Sequence, residues 1–155
     1  MHVELIDLLR CPRDHEETWL VATFLEMDDR FVIKGRLGCP VCSASYPIED
    51  GRPDLREPSL RSQLTHAGTE RIFDSEMPLR IAAMLGLTRP GSLIAIAGEE
   101  STLASGVSEL GECRVVALNP PASLHESERG ARVMSGARIP LASASLDGIM
   151  VSDET

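Results

Sequence analysis

The chain has 155 residues, a formal net charge of −9, 43% hydrophobic residues and only 3% aromatic ones. That length holds one ordinary domain or two small ones, with enough Leu, Ile, Val and Ala for packed cores, which excludes disorder as the default. The acidic balance excludes direct binding to nucleic acid, which needs a basic surface to displace counterions, and it disfavours an anionic membrane surface. No apolar run is long enough to span a bilayer, and Met1-His2-Val3-Glu4-Leu5 is not a signal peptide. The four cysteines form no obvious disulfide framework, so a cytoplasmic protein is expected.

In chain order, Leu5, Ile6, Leu8 and Leu9 predict a short helical turn or strand leading into Cys11. Trp19–Leu25 and Arg30–Leu37 are rich in strand formers, and Glu26-Met27-Asp28-Asp29 between them reads as the turn of a hairpin. Ser45–Ile48 is a further short strand, and Asp50-Gly51 is a tight-turn dipeptide. Residues 58–76 are polar and read as a linker or peripheral helix. From Met77 the grammar changes. Met77–Leu87 has helical periodicity, Ser92–Ala97 is an apolar run of the kind buried on both sheet faces, and Ser101–Leu110 is a helix with Ser101 or Thr102 available as its cap. Cys113–Leu118 is a second buried strand, with Cys113 read as plain core, and Arg132–Met134 and Asp147–Ser152 supply a third and a fourth. Strand, helix, strand with short joints predicts a parallel sheet. The expected fold class is therefore α+β: a small ribbon-like β module over residues 1–57, the linker over 58–76, and a Rossmann-like α/β module with parallel strands over 77–155.

The chemistry-bearing residues cluster in the first module. Cys39-Pro40-Val41-Cys42 is a C-x-x-C knuckle, and Cys11-Pro12 begins a second one a hairpin away. Two such knuckles are how a small ribbon holds zinc, which takes four tetrahedral ligands, preferably thiolate or imidazole. Cys11, Cys39 and Cys42 are three candidates. The fourth is open between Asp14, three residues after Cys11, and His15, one further on. Arg10, Arg13 and Arg36 are near enough in sequence to offset thiolate charge. The alternative is a ribbon without metal, in which Cys39 and Cys42 pack as small apolar groups or pair as a disulfide. A module this small has little core of its own, which favours a staple.

Residues 4–55 resemble the zinc-ribbon activator family, the small subunits that activate tRNA, ribosomal RNA and release-factor methyltransferases. The residues that carry the resemblance are Leu8-Leu9-x-Cys11-Pro12 and Cys39-x-x-Cys42-x-x-x-Tyr46-Pro47-Ile48-x-Asp50-Gly51-x-Pro53. The chain departs from the family at Asp14, where the pattern has a second cysteine. The resemblance implies a non-catalytic ribbon that holds a methyltransferase partner by strand addition and apolar contact. Tyr46, Pro47, Ile48 and the strand around Val32 would then offer the contacts.

Residues 77–155 resemble the first half of a class I S-adenosylmethionine-dependent methyltransferase, through Leu93–Gly98, Val115–Asn119 and Arg138–Val151. The resemblance implies cofactor contacts at Gly98, after the first strand, and at Asn119, after the second. The turn Ala97-Gly98-Glu99-Glu100-Ser101 carries one glycine and two acids where backbone must approach the methionine moiety. Asn119-Pro120-Pro121 stands where a carboxylate normally accepts both ribose hydroxyls. Cofactor binding is therefore not expected, and no residue is assigned a catalytic role. Asp147 reads as capping the approach to a strand, and Ser143 and Ser145 lack a G-x-S-x-G setting. The chain ends near its fourth strand, so the sheet has an open edge, and either a homodimer or docking of ribbon on half-sheet is expected. The expected function is a non-catalytic binding or scaffold protein with a protein partner, alternatively a minimal methyltransferase.

Overall fold

The computed structural model describes residues 1–61, 73–87, 89–121, 124 and 130–151. The fold is mixed α+β, with one antiparallel sheet and one Rossmann-like sheet of parallel strands. The chain divides into two compact units: Met1–Thr65 together with Val133–Ser145, and His66–Arg132 together with Leu146–Thr155. The sequence-based boundaries at 57 and 77 run each unit as one continuous stretch and do not include the excursion of 133–145 into the first. The expected linker, with Leu64, His66 and Ile72, lies mostly outside the described residues, as do His125 and Asp153.

The first unit is an antiparallel sheet in simple order: β1 (Val21–Asp28), β2 (Phe31–Gly38), β3 (Ser45–Glu49) and β4 (Arg52–Pro53). The β1–β2 hairpin turns two residues later than Glu26–Asp29 suggested. Asp28 pairs with Phe31, leaving Asp29-Arg30 as the turn, with Asp29 at φ 49°. The acidic run therefore belongs to β1, and its irregularity is absorbed by a bulge between Phe24 and Met27. At Asp50-Gly51 both φ values are positive, 49° and 72°. That pair of angles is the type I′ turn that joins tight hairpins with native twist, and glycine adopts it without a Cβ clash. A 3₁₀ turn at Val3–Leu5 precedes the sheet, and Met1 pairs its backbone with Val32. Leu5, Leu9, Leu20, Val32, Leu37, Tyr46, Ile48 and Leu55 form the buried side of this unit.

That list overturns one expectation. Tyr46, Ile48 and Val32 are 3%, 1% and 0% exposed, so they are core and not a contact surface. In β3 the alternation points Tyr46 and Ile48 inward, opposite Leu37 and Gly35, and the register shift in the β1–β2 ladder brings Val32 to the same side. The exposed large apolar side chains of this sheet lie instead on edge strand β1: Val21, Phe24, Leu25 and Met27, preceded by exposed Trp19.

In the second unit, α2 (Met77–Met84) leads to β5 (Leu93–Ala97), then a 3₁₀ turn (Glu99–Leu103), α3 (Ala104–Gly111), β6 (Arg114–Leu118), β7 (Gly130–Val133) and β8 (Gly148–Val151). A four-residue helix, α1 (Pro58–Arg61), closes the described part of the first unit. The strands stand in the order β7-β6-β5-β8, with β5 parallel to both β6 and β8. Taking β5 as first, this is the 3-2-1-4 order of doubly wound sheets. Ile94 and Ile96 of β5 are fully buried and pack with Ile81, Val107, Cys113, Val115 and Ala117. Burial on both faces accounts for the unbroken apolar run, and each such side chain contributes roughly 1.5–3 kcal/mol. Cys113 is core as expected, its thiol directed at the Val107 carbonyl. Asp147 accepts a hydrogen bond from Leu93 N at 2.9 Å and so ties the entry of β8 to β5. Ser101 and Thr102 do not cap α3. They lie inside the 3₁₀ turn, where Thr102 donates to the Glu99 carbonyl, and α3 follows with no side-chain cap. No helix among the described residues is long and apolar enough to cross a membrane.

One buried ion pair anchors the end of the first sheet. Arg56, 7% exposed, donates to both carboxylate oxygens of Asp54, at 2.9 and 2.7 Å. Burial pushes the Asp54 carboxyl up, but the hydrogen bonds and charge of Arg56, with Arg61 beyond, outweigh it and hold the group below its ordinary value. The contribution of the pair is complete above the unfolded carboxylate pKa of about 3.9 and is lost as pH falls through the lower folded value. Asp54→Asn leaves Arg56 buried without a counter-charge and is predicted to cost about 3 kcal/mol near neutral pH. In urea titrations the gap between wild type and variant should shrink steadily below pH 4; a gap independent of pH would refute the assignment.

Candidate metal centre

Two chain segments build the site. The first leaves Leu9 as an extended strand, passes Cys11 and turns back, closed by the Cys11 amide donating to the Thr18 carbonyl at 3.0 Å. Within that turn His15 N donates to the Arg13 carbonyl, which swings the imidazole back over Cys11. The second segment follows β2. Cys39 N donates to the Ala44 carbonyl and Ser43 N to the Cys39 carbonyl, with Ser43 at φ 57°. This tight knuckle aims the Cys39 and Cys42 thiols toward one point. The ligand atoms of Cys11, His15, Cys39 and Cys42 all lie within 4.8 Å of one another and can hold a metal ion. Cys11 and Cys39 are buried, and His15 and Cys42 half-buried.

Three of the six donor separations are close to those around a tetrahedral ion. Metal–sulfur and metal–nitrogen bonds near 2.3 and 2.0 Å place sulfurs about 3.8 Å apart and sulfur about 3.5 Å from nitrogen. The Cys11 and Cys42 sulfurs are 3.7 Å apart, and His15 Nε2 is 3.3 Å from the Cys11 sulfur and 3.5 Å from that of Cys39. The tautomer is also suitable. His15 Nδ1 sits 2.7 Å from the Glu16 carbonyl, which can only accept, so Nδ1 carries the proton and Nε2 presents its lone pair. Three thiols and an imidazole are a soft donor set compatible with zinc. Four protein donors would leave a bound ion no open position for a substrate, which is the character of a structural centre.

The surroundings act in opposite directions on two of the sulfurs. The Tyr46 hydroxyl lies 3.3 Å from the Cys11 sulfur, where it donates to a thiolate. Burial pushes the Cys11 thiol up, partly offset by Tyr46 and by the amide of Arg13. At Cys39 burial also pushes up, but the Cys42 and Val41 amides outweigh it and bring the thiol down to about 7. Burial raises the Tyr46 phenol well above its ordinary value, and the neighbouring Cys11 reinforces this, so it remains a donor.

Asp14 lies outside the cluster. Its side chain is 96% exposed and pairs with Arg138 at 3.0 Å. His15 is therefore the fourth member, although the knuckle spacing points to Asp14. Arg10 and Arg13, expected to offset thiolate charge, pair with Glu17 and Glu57. The role of Tyr46 against Cys11 has one sequence signal, a lone buried-strand tyrosine close after the knuckle. The Arg138 pairing with Asp14 has none.

Gly98 and Asn119 belong to the second unit. The parallel register Ala97↔Leu118 brings both to the carboxyl edge of the sheet, on adjacent strands. Gly98 has φ 82° and ψ −155°, a conformation open essentially only to glycine, and Asn119 has φ 52°, in the left-handed region that asparagine tolerates. Glu99 and Glu100 follow directly in the 3₁₀ turn. No protein-family model matches the chain, and the search of curated proteins gives no match.

Two substitutions separate the candidate fourth donors. His15→Ala should weaken zinc binding sharply in a competition titration with a chromophoric chelator, whereas Asp14→Asn should leave it unchanged. Tyr46→Phe, which removes only the outer hydrogen bond to Cys11, should cost about 10–100-fold in affinity. A strong loss in Asp14→Asn with none in His15→Ala would reverse the ligand assignment.

Proposed function

We propose that the chain is a non-catalytic binding or scaffold protein, akin to the activator subunits of methyltransferases, whose N-terminal ribbon is stapled by one structural zinc ion. The observation that carries this reading is the convergence of Cys11, His15, Cys39 and Cys42 on one point with all four donor positions filled by protein. The ion would cross-link the loop before β1 to the knuckle after β2, and the protein's own residues would do the recognition. The partner in this reading is a protein, with a methyltransferase first among candidates by the ribbon motif. Its contact surface is edge strand β1, which has no second strand partner among the described residues and carries exposed Val21, Phe24, Leu25 and Met27. A second copy of the chain can use the same strand, and homodimerisation forms part of the proposal.

A minimal methyltransferase is the second reading. It is favoured by the 3-2-1-4 strand order, which brings Gly98 and Asn119 to the edge where doubly wound sheets bind nucleotides. It is opposed by the two acids after Gly98 and by the lack of a carboxylate at Asn119.

Native mass spectrometry should find one zinc per chain, and a metal-free protein would remove the staple from this account. Titration calorimetry with S-adenosylmethionine should be silent; binding at low micromolar affinity would establish the second reading over the first. Affinity capture should recover a methyltransferase, and its loss on Leu25→Asp in β1 would locate the contact.

A further inference from the structure

We propose that Cys42 and Cys11 are an oxidation site: with a hydroperoxide they form a reversible disulfide that displaces the metal and replaces it as the staple of the ribbon. The inference rests on the zinc reading above for its starting state, while the disulfide itself rests on the sulfur geometry alone.

Access selects Cys42. Of the three thiols in the cluster it is half-buried, and Cys11 and Cys39 are buried. Cys11 lies within reach, its sulfur 3.7 Å from that of Cys42. Cys39 also has side-chain contacts with Cys42 and Cys11, so what separates the two partners is the loop each bond closes. A Cys39–Cys42 bond closes only the knuckle. A Cys11–Cys42 bond spans 31 residues and joins the two segments that the metal joins, so the ribbon keeps its cross-link after the ion leaves.

The chemistry balances with hydrogen peroxide as the oxidant. The Cys42 thiolate attacks one peroxide oxygen and the O–O bond breaks. The departing hydroxide takes a proton from solvent and leaves as water, and Cys42 is then a sulfenic acid. The Cys11 sulfur attacks that of Cys42, the S–O bond breaks and the second hydroxide leaves as water. Two sulfurs have lost one electron each, and the peroxide has gained two. A Cys11 that begins as a thiol gives its proton to solvent. His15 and Cys39 then remain as the only two donors of the cluster, too few to retain zinc.

The test treats the zinc-loaded full chain with equimolar hydrogen peroxide. Zinc release is followed with a chromophoric chelator, and disulfides are mapped by peptide mass spectrometry after alkylation. The expected result is one Cys11–Cys42 disulfide per zinc released, an unchanged far-ultraviolet spectrum, and recovery of the starting state with a dithiol reductant and zinc. Cys113→Ser, which removes the fourth cysteine, should behave as wild type. A Cys39–Cys42 disulfide, a sulfinic acid at Cys42, or zinc retained throughout would overturn the proposal. Should the protein carry and bind no zinc, the structural-zinc reading fails separately. The reduced metal-free chain must still yield the Cys11–Cys42 bond on oxidation, and its failure to do so would refute the disulfide itself.

Discussion

The first unit depends on holding a six-residue turn, Pro12–Glu17, over a knuckle that begins more than twenty residues later. A ribbon of this size buries few large side chains, and its sheet leaves most of β1 exposed. Cys11 and His15 from the turn converge with Cys39 and Cys42 from the knuckle, where a bound ion would supply the cross-link that apolar burial alone is poorly able to supply. The turn is also clamped from its outer side. Leu9 bridges to Leu141, the Arg10 amide donates to the Pro140 carbonyl, the Ala142 amide donates to the Leu8 carbonyl, and Glu17 accepts from Ser143. Arg138 completes the clamp through Asp14.

His15 and not Asp14 faces the cysteines. Within one turn the two side chains leave the backbone in different directions. A carboxylate gains more from a guanidinium in solvent reach than from three sulfurs that would each add negative charge beside it. An imidazole in its neutral form would join three thiolates around an ion without adding to their repulsion. Its orientation follows from the Glu16 carbonyl, and the Cys11 sulfur is steadied by Tyr46 from across the sheet. Donors and their hydrogen-bonded supports are therefore drawn from the same few residues of one hairpin and one turn.

In the second unit the governing constraint is the burial of β5. A central parallel strand covered on both faces requires partners on each side, supplied by β6 and β8, and helices to cover it, among them α2 and α3. Asp147 secures β8 at its start by exchanging backbone and side-chain bonds with Leu93. The same order sets Gly98 and Asn119 side by side at the carboxyl edge, so the placement is that of a nucleotide-binding sheet even though the side chains differ from those such a ligand calls for.

Much of this was legible in the sequence because it follows from local rules. Alternation and tight-turn chemistry marked β2, β3 and the Asp50-Gly51 turn; unbroken apolar runs marked β5 and β6; helical periodicity marked α2; and the Cys-x-x-Cys knuckle marked half of the metal cluster. The α+β class followed from those patterns. What the sequence left open was each choice made by partners distant in the chain. Asp14, the ligand that the knuckle spacing points to, pairs instead with Arg138, 124 residues away. The stretch before β8 reads locally as an approach to a strand, yet 133–145 belongs to the first unit, because backbone pairing with Leu8, Leu9 and Arg10 competes for it. Burial of Tyr46 and Ile48 was likewise decided by which face of β3 acquired a cover, and β1 is exposed on both faces as the edge strand. Local propensity reports the conformation a segment prefers; which face it buries and which charge it meets are set by non-local contacts that no short window of sequence contains.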